Sequence, residues 1–414
     1  MKQMKCPQLF LFVVSFCFLG VRFTWAQSSA DVVALKTQLF TTNSYNTKVR
    51  PVTDSDTTTT VTLDYALVGI NSFNDADQKL TTTGFLTIKW TDEMLTWTPA
   101  DYNNIQSLLI PQNDVWQPDV TLDNGMDSKQ SLGQKFIQVH ITHEGAVTWS
   151  PYEVFDTSCT VQIVHFPFDR QICDIRFITW MTHQTEVNLN LGTQGFYTSN
   201  FEKNGKWDVE SMTSYTETSG GKSVVGFRLT LNRRSSFYVL FLILPAILLS
   251  ILNAFVFVLP AGSGEKVGYS LAVFLSYALF YTILSESLPK NSDEVSTVAA
   301  YLFFMMFLST FATIITIVEL RVYNKTTRGR LPMGVLKFVR CILHQKCMCC
   351  EKTEDFQEDY LEGDWTRVIG PWLACDWKDF IDALDFVLFW VFLIGTIFVT
   401  ALTLICASSH VTLI

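Results

Sequence analysis

Apolar residues recur along this chain in two rhythms. Between residues 27 and 234 they take every second position in several runs: Leu86, Ile88 and Trp90 in "FLTIKW", Ile137, Val139 and Ile141 in "FIQVHIT", and Val225, Phe227, Leu229 and Leu231 in "VVGFRLTLNR". A side-chain period of two, with turn signals such as "DNG" and "SGG" between runs, predicts an antiparallel β-sandwich. Only "ADVVALKTQLF", near the start, reads as a helix. Beyond residue 235 the rhythm changes to long apolar runs at 237–259, 262–289, 298–318 and 386–406. Each is long enough for a bilayer core, which takes roughly 20 residues. The predicted fold class is therefore a β-sandwich with an N-terminal helix, followed by an all-α four-helix transmembrane domain.

Orientation follows from the flanks. Lys2 and Lys5 precede "LFLFVVSFCFLGV", and "TWA" ahead of Gln27 fits cleavage after Ala26, so residues 1–26 read as a secretory signal. An outside N-terminus and four crossings return the C-terminus to the outside. Arg321, Lys325, Arg328, Arg330, Lys337 and Arg340 crowd the loop after the third run, as cytoplasmic loops tend to show, while Arg233 and Arg234 go against that bias. The expected divisions are an extracellular sandwich at 27–234, three transmembrane helices at 235–320, a short cytoplasmic insert at 321–382, a fourth helix at 383–407 and an extracellular tail at 408–414. The insert ends in the amphipathic stretch "DWKDFIDALDF". This is a multi-pass plasma-membrane outline.

Charge and chemistry narrow the function. Only 17% of residues are charged and the net charge is −9, which argues against a nucleic-acid partner. No nucleophile, base and metal constellation stands in the sandwich, so neither an enzyme nor a cofactor or metal site is expected. Topology leaves the sandwich two cysteines, Cys159 and Cys173, and a lone pair in an oxidising compartment predicts a disulfide. The cytoplasmic run "CILHQKCMCC" lacks a pair of Cys-x2-Cys motifs, having only Cys347 and Cys350 at that spacing; palmitoylation and free thiols are its alternatives to zinc.

The second apolar run, "GSGEKVGYSLAVFLSYALFYTILSESLP", is unusually polar for a lipid-facing helix. Steps of three and four put Glu265, Gly268, Ala272, Leu275, Leu279, Thr282 and Glu286 on one stripe, with Val273, Phe274, Tyr277, Phe280 and Leu284 opposite. The two glutamates stand roughly 30 Å apart, one at each membrane surface. "GSGEK" does not have phosphate-loop spacing, and no strand precedes it.

The loop "CTVQIVHFPFDRQIC", holding Phe166, Pro167, Phe168 and Asp169, resembles the signature loop of the Cys-loop pentameric ligand-gated channels. "INSFNDADQKLTTTGF", "FLTIKWTD", "WQPDVTLDN" and "LPAGSGEKV" resemble the nicotinic acetylcholine receptor branch, in order. The resemblance implies a homo- or hetero-pentamer, a small-molecule agonist held between subunits by aromatic side chains, and permeant cations. On the principal face it points to Trp180 and Tyr215, and on the complementary face to Phe85, with His140, Thr148 and Ser150 as further candidates that equally fit a plain surface strand. Asp123 stands where the family usually has tyrosine, and the flap "TSYTETSGGKSVVGF" has no adjacent cysteine pair and carries Lys222 near its second tyrosine position. Two readings follow: a non-agonist-binding subunit that needs a partner, or a diverged branch such as the cephalopod chemotactile receptors, which the Gly- and Ser-rich flap and short insert resemble. Trp90, Trp97 and Trp116 read as packing. By the same resemblance Glu265 at the inner mouth implies cation selectivity (an anion-selective relative being the rival), Leu275 and Leu279 a constriction, and Arg234 a bridge from sandwich to membrane domain.

Overall fold

The computed structural model describes residues 28–127, 131–288, 295–324 and 377–408, with the single positions 335, 339 and 342. The expected signal at 1–26, the cysteine cluster of the insert and the tail from 409 onward lie outside the described residues, as do residues 289–294 between the second and third apolar runs. The chain opens with helix α1, Ser29–Lys36, whose Ser28 side chain accepts from the Ala30 amide and caps it. Among the described residues eleven strands follow. A seven-stranded sheet runs β3 (Ser107–Pro111), β5 (Gln138–Thr142), β6 (Ala146–Trp149), β2 (Lys79–Thr91), β1 (Thr59–Asn74), β9 (Val187–Glu202), with β7 (Tyr152–Ser158) also on β2. A four-stranded sheet runs β10 (Trp207–Ser219), β11 (Lys222–Arg233), β8 (Arg170–Thr179), β4 (Val120–Leu122). The pairings are antiparallel except for β1 with β9, which run parallel.

The alternation does what it predicts. Leu86, Ile88 and Trp90 of β2 and Val225, Phe227, Leu229 and Leu231 of β11 are buried between the sheets. Tyr65 of β1 lies at the centre, with Phe155, Phe177, Phe196 and Phe227 at centroid distances of 5.6, 6.4, 5.4 and 5.6 Å. Its hydroxyl pairs with Thr82 Oγ1 at 3.2 Å, so a buried polar atom is satisfied. Burying one such ring contributes roughly 2 kcal/mol or more. Trp90 and Trp97 are core residues, and Trp116 is half-buried, edge-on to Trp90 at 5.9 Å.

Among the described residues four helices are long and apolar enough to cross a membrane: α2 (Ser236–Val258), α3 (Lys266–Ser287), α4 (Thr297–Asn324) and α5 (Trp377–Ser408). In α2 a widened turn at Val239–Ile243 precedes Pro245, absorbing the hydrogen bond that proline cannot donate. The amphipathic stretch before the fourth span is continuous with it. Loop residues Val161, Ile163 and Phe166 share a buried cluster with Tyr277 and Leu288 of the α3 segment and Val298 and Leu302 of α4. The sandwich thus sits directly on the helix ends.

Candidate functional site

The residues expected around a ligand fall into two groups, one per sheet. Asp123, Trp180 and Tyr215 belong to the smaller sheet or its loops. Phe85, His140, Thr148 and Ser150 belong to the larger sheet or its edge. The two groups are thus carried by different layers of the sandwich.

Local chemistry positions each principal-face residue. Trp180, 50% exposed, follows β8, and its amide donates to the Asp119 carbonyl at 3.0 Å. The Asp119 carboxylate accepts from the amides of Met181 and Thr182 (2.6 and 3.1 Å) and from the Thr182 hydroxyl (2.7 Å), fixing the turn that presents the indole. Tyr215 lies flat across its register partner Gly226, where a Cβ would fall 2.2 Å from the phenol Cζ. Its hydroxyl donates to Asp174 at 2.9 Å, and Arg228 grips the same carboxylate at 2.8 and 3.0 Å while stacking 5.1 Å over the phenol ring. Burial and Asp174 together push the Tyr215 hydroxyl up to about 12. Burial alone would raise the Asp174 carboxyl, but Arg228 and Tyr215 hold it below the usual range. Asp123 pairs with Arg176 at 3.1 Å, and Arg176 also meets Glu217 at 2.6 Å.

The flap is a tight hairpin. Ser219 pairs with Lys222 across Gly220 and Gly221, both at positive φ (58° and 76°), the pattern of a two-residue turn that glycine favours. That register sets Lys222 against Trp180: its ammonium lies 5.6 Å from the ring centroid and donates to the Trp180 carbonyl. Both aromatic platforms of the principal face therefore already carry a cation from this chain.

On the other sheet, Phe85 (38% exposed) packs on its register partner Tyr152 at 4.7 Å. Ser150 pairs weakly with Thr87 at 3.5 Å, and Thr148 lies opposite both Lys89 and His140. These residues share the outward face of adjoining strands. Tyr152, Lys89, Arg176, Arg228 and Asp174 were not singled out from sequence. The signal for Lys89, Arg176, Arg228 and Asp174 is phase, since each alternates with buried neighbours along its strand.

Where the sandwich meets the helices, the Cys159–Cys173 disulfide closes the loop that holds Phe166, Pro167, Phe168 and Asp169. Phe166, Pro167 and Asp169 are buried, Phe168 half-buried, and Val164 O accepts from the Thr297 amide (3.0 Å) and hydroxyl (2.6 Å) at the start of α4. The bridging arginine is Arg233, which corrects the expectation for Arg234. Arg233, 3% exposed at its side chain, holds Asp169 through two bonds (2.7 and 3.0 Å) and Asp75 at 2.9 Å, and lies over Phe166, Trp207 and Tyr238 at 5.1, 4.2 and 5.5 Å. Burial opposes its charge, but the two aspartates outweigh this and raise its pKa. Arg234 is exposed and pairs with Asp208 alone among the described residues.

Glu265 at the N-cap of α3, and Gly268, Ala272, Leu275, Leu279, Thr282 and Glu286 within it, are all exposed, the two leucines at 63% and 61%. Val273, Tyr277 and Leu284 on the other side are buried.

Two family models cover this architecture. "Neurotransmitter-gated ion-channel ligand binding domain" matches residues 33–235, and "Neurotransmitter-gated ion-channel transmembrane region" matches residues 242–361. The chain belongs to the neurotransmitter-gated ion-channel family. Similar proteins include the neuronal acetylcholine receptor subunit beta-2 of Gallus gallus, 31% identical over 72% of this chain and 61% of that one. The acetylcholine receptor subunit beta-like 1 of Drosophila melanogaster is 32% identical over 76% and 62%, and the acetylcholine receptor subunit beta of Rattus norvegicus 32% over 68% and 60%. The chain spans about three fifths of the length of these relatives. Within the neurotransmitter-gated ion-channel family it is a nicotinic acetylcholine receptor-like subunit, in a class of channels rather than enzymes.

Proposed function

We propose that this chain is a subunit of a pentameric, cation-selective channel of the plasma membrane, opened by an extracellular small molecule bound between neighbouring subunits. The carrying observation is α3: a stripe of small, apolar and acidic residues is left open along its whole length, while the opposite face is packed. Five such stripes around an axis line a water path, with Glu265 and Glu286 concentrating cations at its mouths and Leu275 and Leu279 closing it by dewetting. The split of the candidate ligand residues between two sheets fits a site shared by two subunits. The test is a ligand screen under two-electrode recording, on the chain alone and with related subunits, with reversal potentials measured under chloride substitution. For any agonist found, Trp180→Ala is expected to raise the half-maximal concentration at least about tenfold, which is about 1.4 kcal/mol and within one cation–π contact. An unaltered dose–response curve at equal surface expression removes Trp180 from the pocket.

Lys222 favours a second reading, in which the principal face of this chain does not take a quaternary ammonium and a partner subunit, or a different chemosensory ligand, supplies the opening signal. An ammonium ligand must displace the Lys222 cation from Trp180 and overcome its repulsion. Lys222→Gln is therefore expected to strengthen tetramethylammonium binding about tenfold, read by quenching of tryptophan fluorescence. Equal binding by wild type and variant counts against Lys222 as the blocking group.

A further inference from the structure

Next to Glu265 stands Lys266, a cation at the one place where a cation-selective pore is least served by it. About 100° of helical rotation per residue turns Lys266 away from the exposed stripe and into the helix bundle. There its ammonium meets Glu319 Oε2 of α4 at 2.7 Å and bonds to Asp385 Oδ1 of α5, and it lies 5.5 Å from the Phe257 ring. All three side chains are buried, and Glu319 Oε1 has no hydrogen-bond partner among the described residues. One ammonium thus faces two carboxylates, drawn from three helices. Such a cluster is costly to bury, and ionisable groups inside a membrane domain mark function by default.

We propose that Glu319 and Asp385 are positioning residues for charge selectivity: they hold the Lys266 ammonium inside the bundle, so that the Glu265 ring faces the inner mouth unopposed. The inference rests on the pore reading above. A lysine on a four-carbon stem reaches water whenever water is within its length. Freed from its carboxylates, Lys266 extends toward the inner mouth, where a positive charge beside each Glu265 cancels the attraction that the ring exerts on cations and admits anions. The buried carboxylates thus act on permeation through the lysine, without touching the permeating ion.

The test uses full-length receptor carrying Leu275→Ser, a background expected to conduct without ligand, with reversal potentials read in salt dilution. The Glu319→Gln/Asp385→Asn double variant is expected to lower the cation-to-anion permeability ratio at least about fivefold. Adding Lys266→Gln to it should restore the ratio, a rescue that a merely structural role does not produce. Glu265→Gln separates the two levels of inference. If it leaves selectivity unchanged, the pore reading fails; if it lowers selectivity while the double variant does not, the present proposal fails. A second readout needs neither current nor agonist. In detergent-purified receptor, acylation of Lys266 by an amine-reactive reagent, mapped by mass spectrometry, should be at least about tenfold slower than at the exposed Lys203. It should speed up when either carboxylate is neutralised singly. Lys266 labelled as fast as Lys203 in the wild type, or equally slow in both single variants, overturns the proposal.

Discussion

Leu275→Ser, alone or with Leu279→Ser, is expected to produce a channel that conducts with no ligand present. Both leucines are exposed on α3, one helical turn apart, in the middle of a stripe whose other members are small, polar or acidic. In a pentamer they form two apolar rings, and a narrow apolar ring excludes water. Exchanging one leucine for serine removes about 2 kcal/mol of the drive to keep that surface dry. Where a third of it is felt in the balance between closed and open states, five subunits together shift that balance by about 3 kcal/mol, or more than about a hundredfold. The measurement is resting current at matched surface expression, together with its block by a pore-sized organic cation. Resting current no greater than wild type, with normal surface expression, removes the leucine rings as the barrier.

What periodicity makes legible here is mostly local. The sandwich follows from alternation in β2, β5 and β11, and the stripe of α3 follows from steps of three and four. The Lys266 cluster is half legible by the same rule. Lys266, Ser270, Val273, Tyr277 and Leu284 form the packing face of α3, and all are buried. Phase alone assigns Lys266 inward, whereas reading "GEK" as a unit leaves it beside the pore. Its partners are beyond such reading, since Glu319 and Asp385 lie 53 and 119 residues away and only the packing of three helices brings them together. The parallel pairing of β1 with β9 is hidden for the same reason, being set by a contact between strands more than a hundred residues apart. Helix α5 starts at Trp377, well before the apolar run at 386, because Asp379, Asp382 and Asp385 interrupt the hydropathy without interrupting the helix.

Arg233→Gln is expected to uncouple the two domains and to destabilise the receptor, whereas Arg234→Gln should do neither. The assignment was available in the strand itself. Val225, Phe227, Leu229 and Leu231 point inward, and the next member of that odd-numbered series is Arg233, so Arg234 must point out. The guanidinium is enclosed by Asp169 from the disulfide loop, Asp75 from the β1–β2 turn, and three aromatic rings, one of them Tyr238 at the start of α2. Removing it leaves two carboxylates close together away from water, at a cost of about 3–5 kcal/mol. The exposed pair of Arg234 with Asp208 is screened by solvent and contributes little. Thermal unfolding of purified receptor should separate the two variants by several degrees. Arg233→Lys should fall close to Arg233→Gln, because an ammonium cannot make the paired bonds to Asp169 and also reach Asp75. Adding Asp169→Asn to Arg233→Gln should recover part of the lost stability by removing one stranded charge. Opening by ligand should stay impaired in that double variant while the ligand-free current of a Leu275→Ser background survives, because the helices keep their own gate but lose the charged joint that the loop pulls on. Recovery of ligand-driven opening together with stability would mean that the buried ion pair is scaffolding only, and that coupling runs through the Val164–Thr297 contact instead.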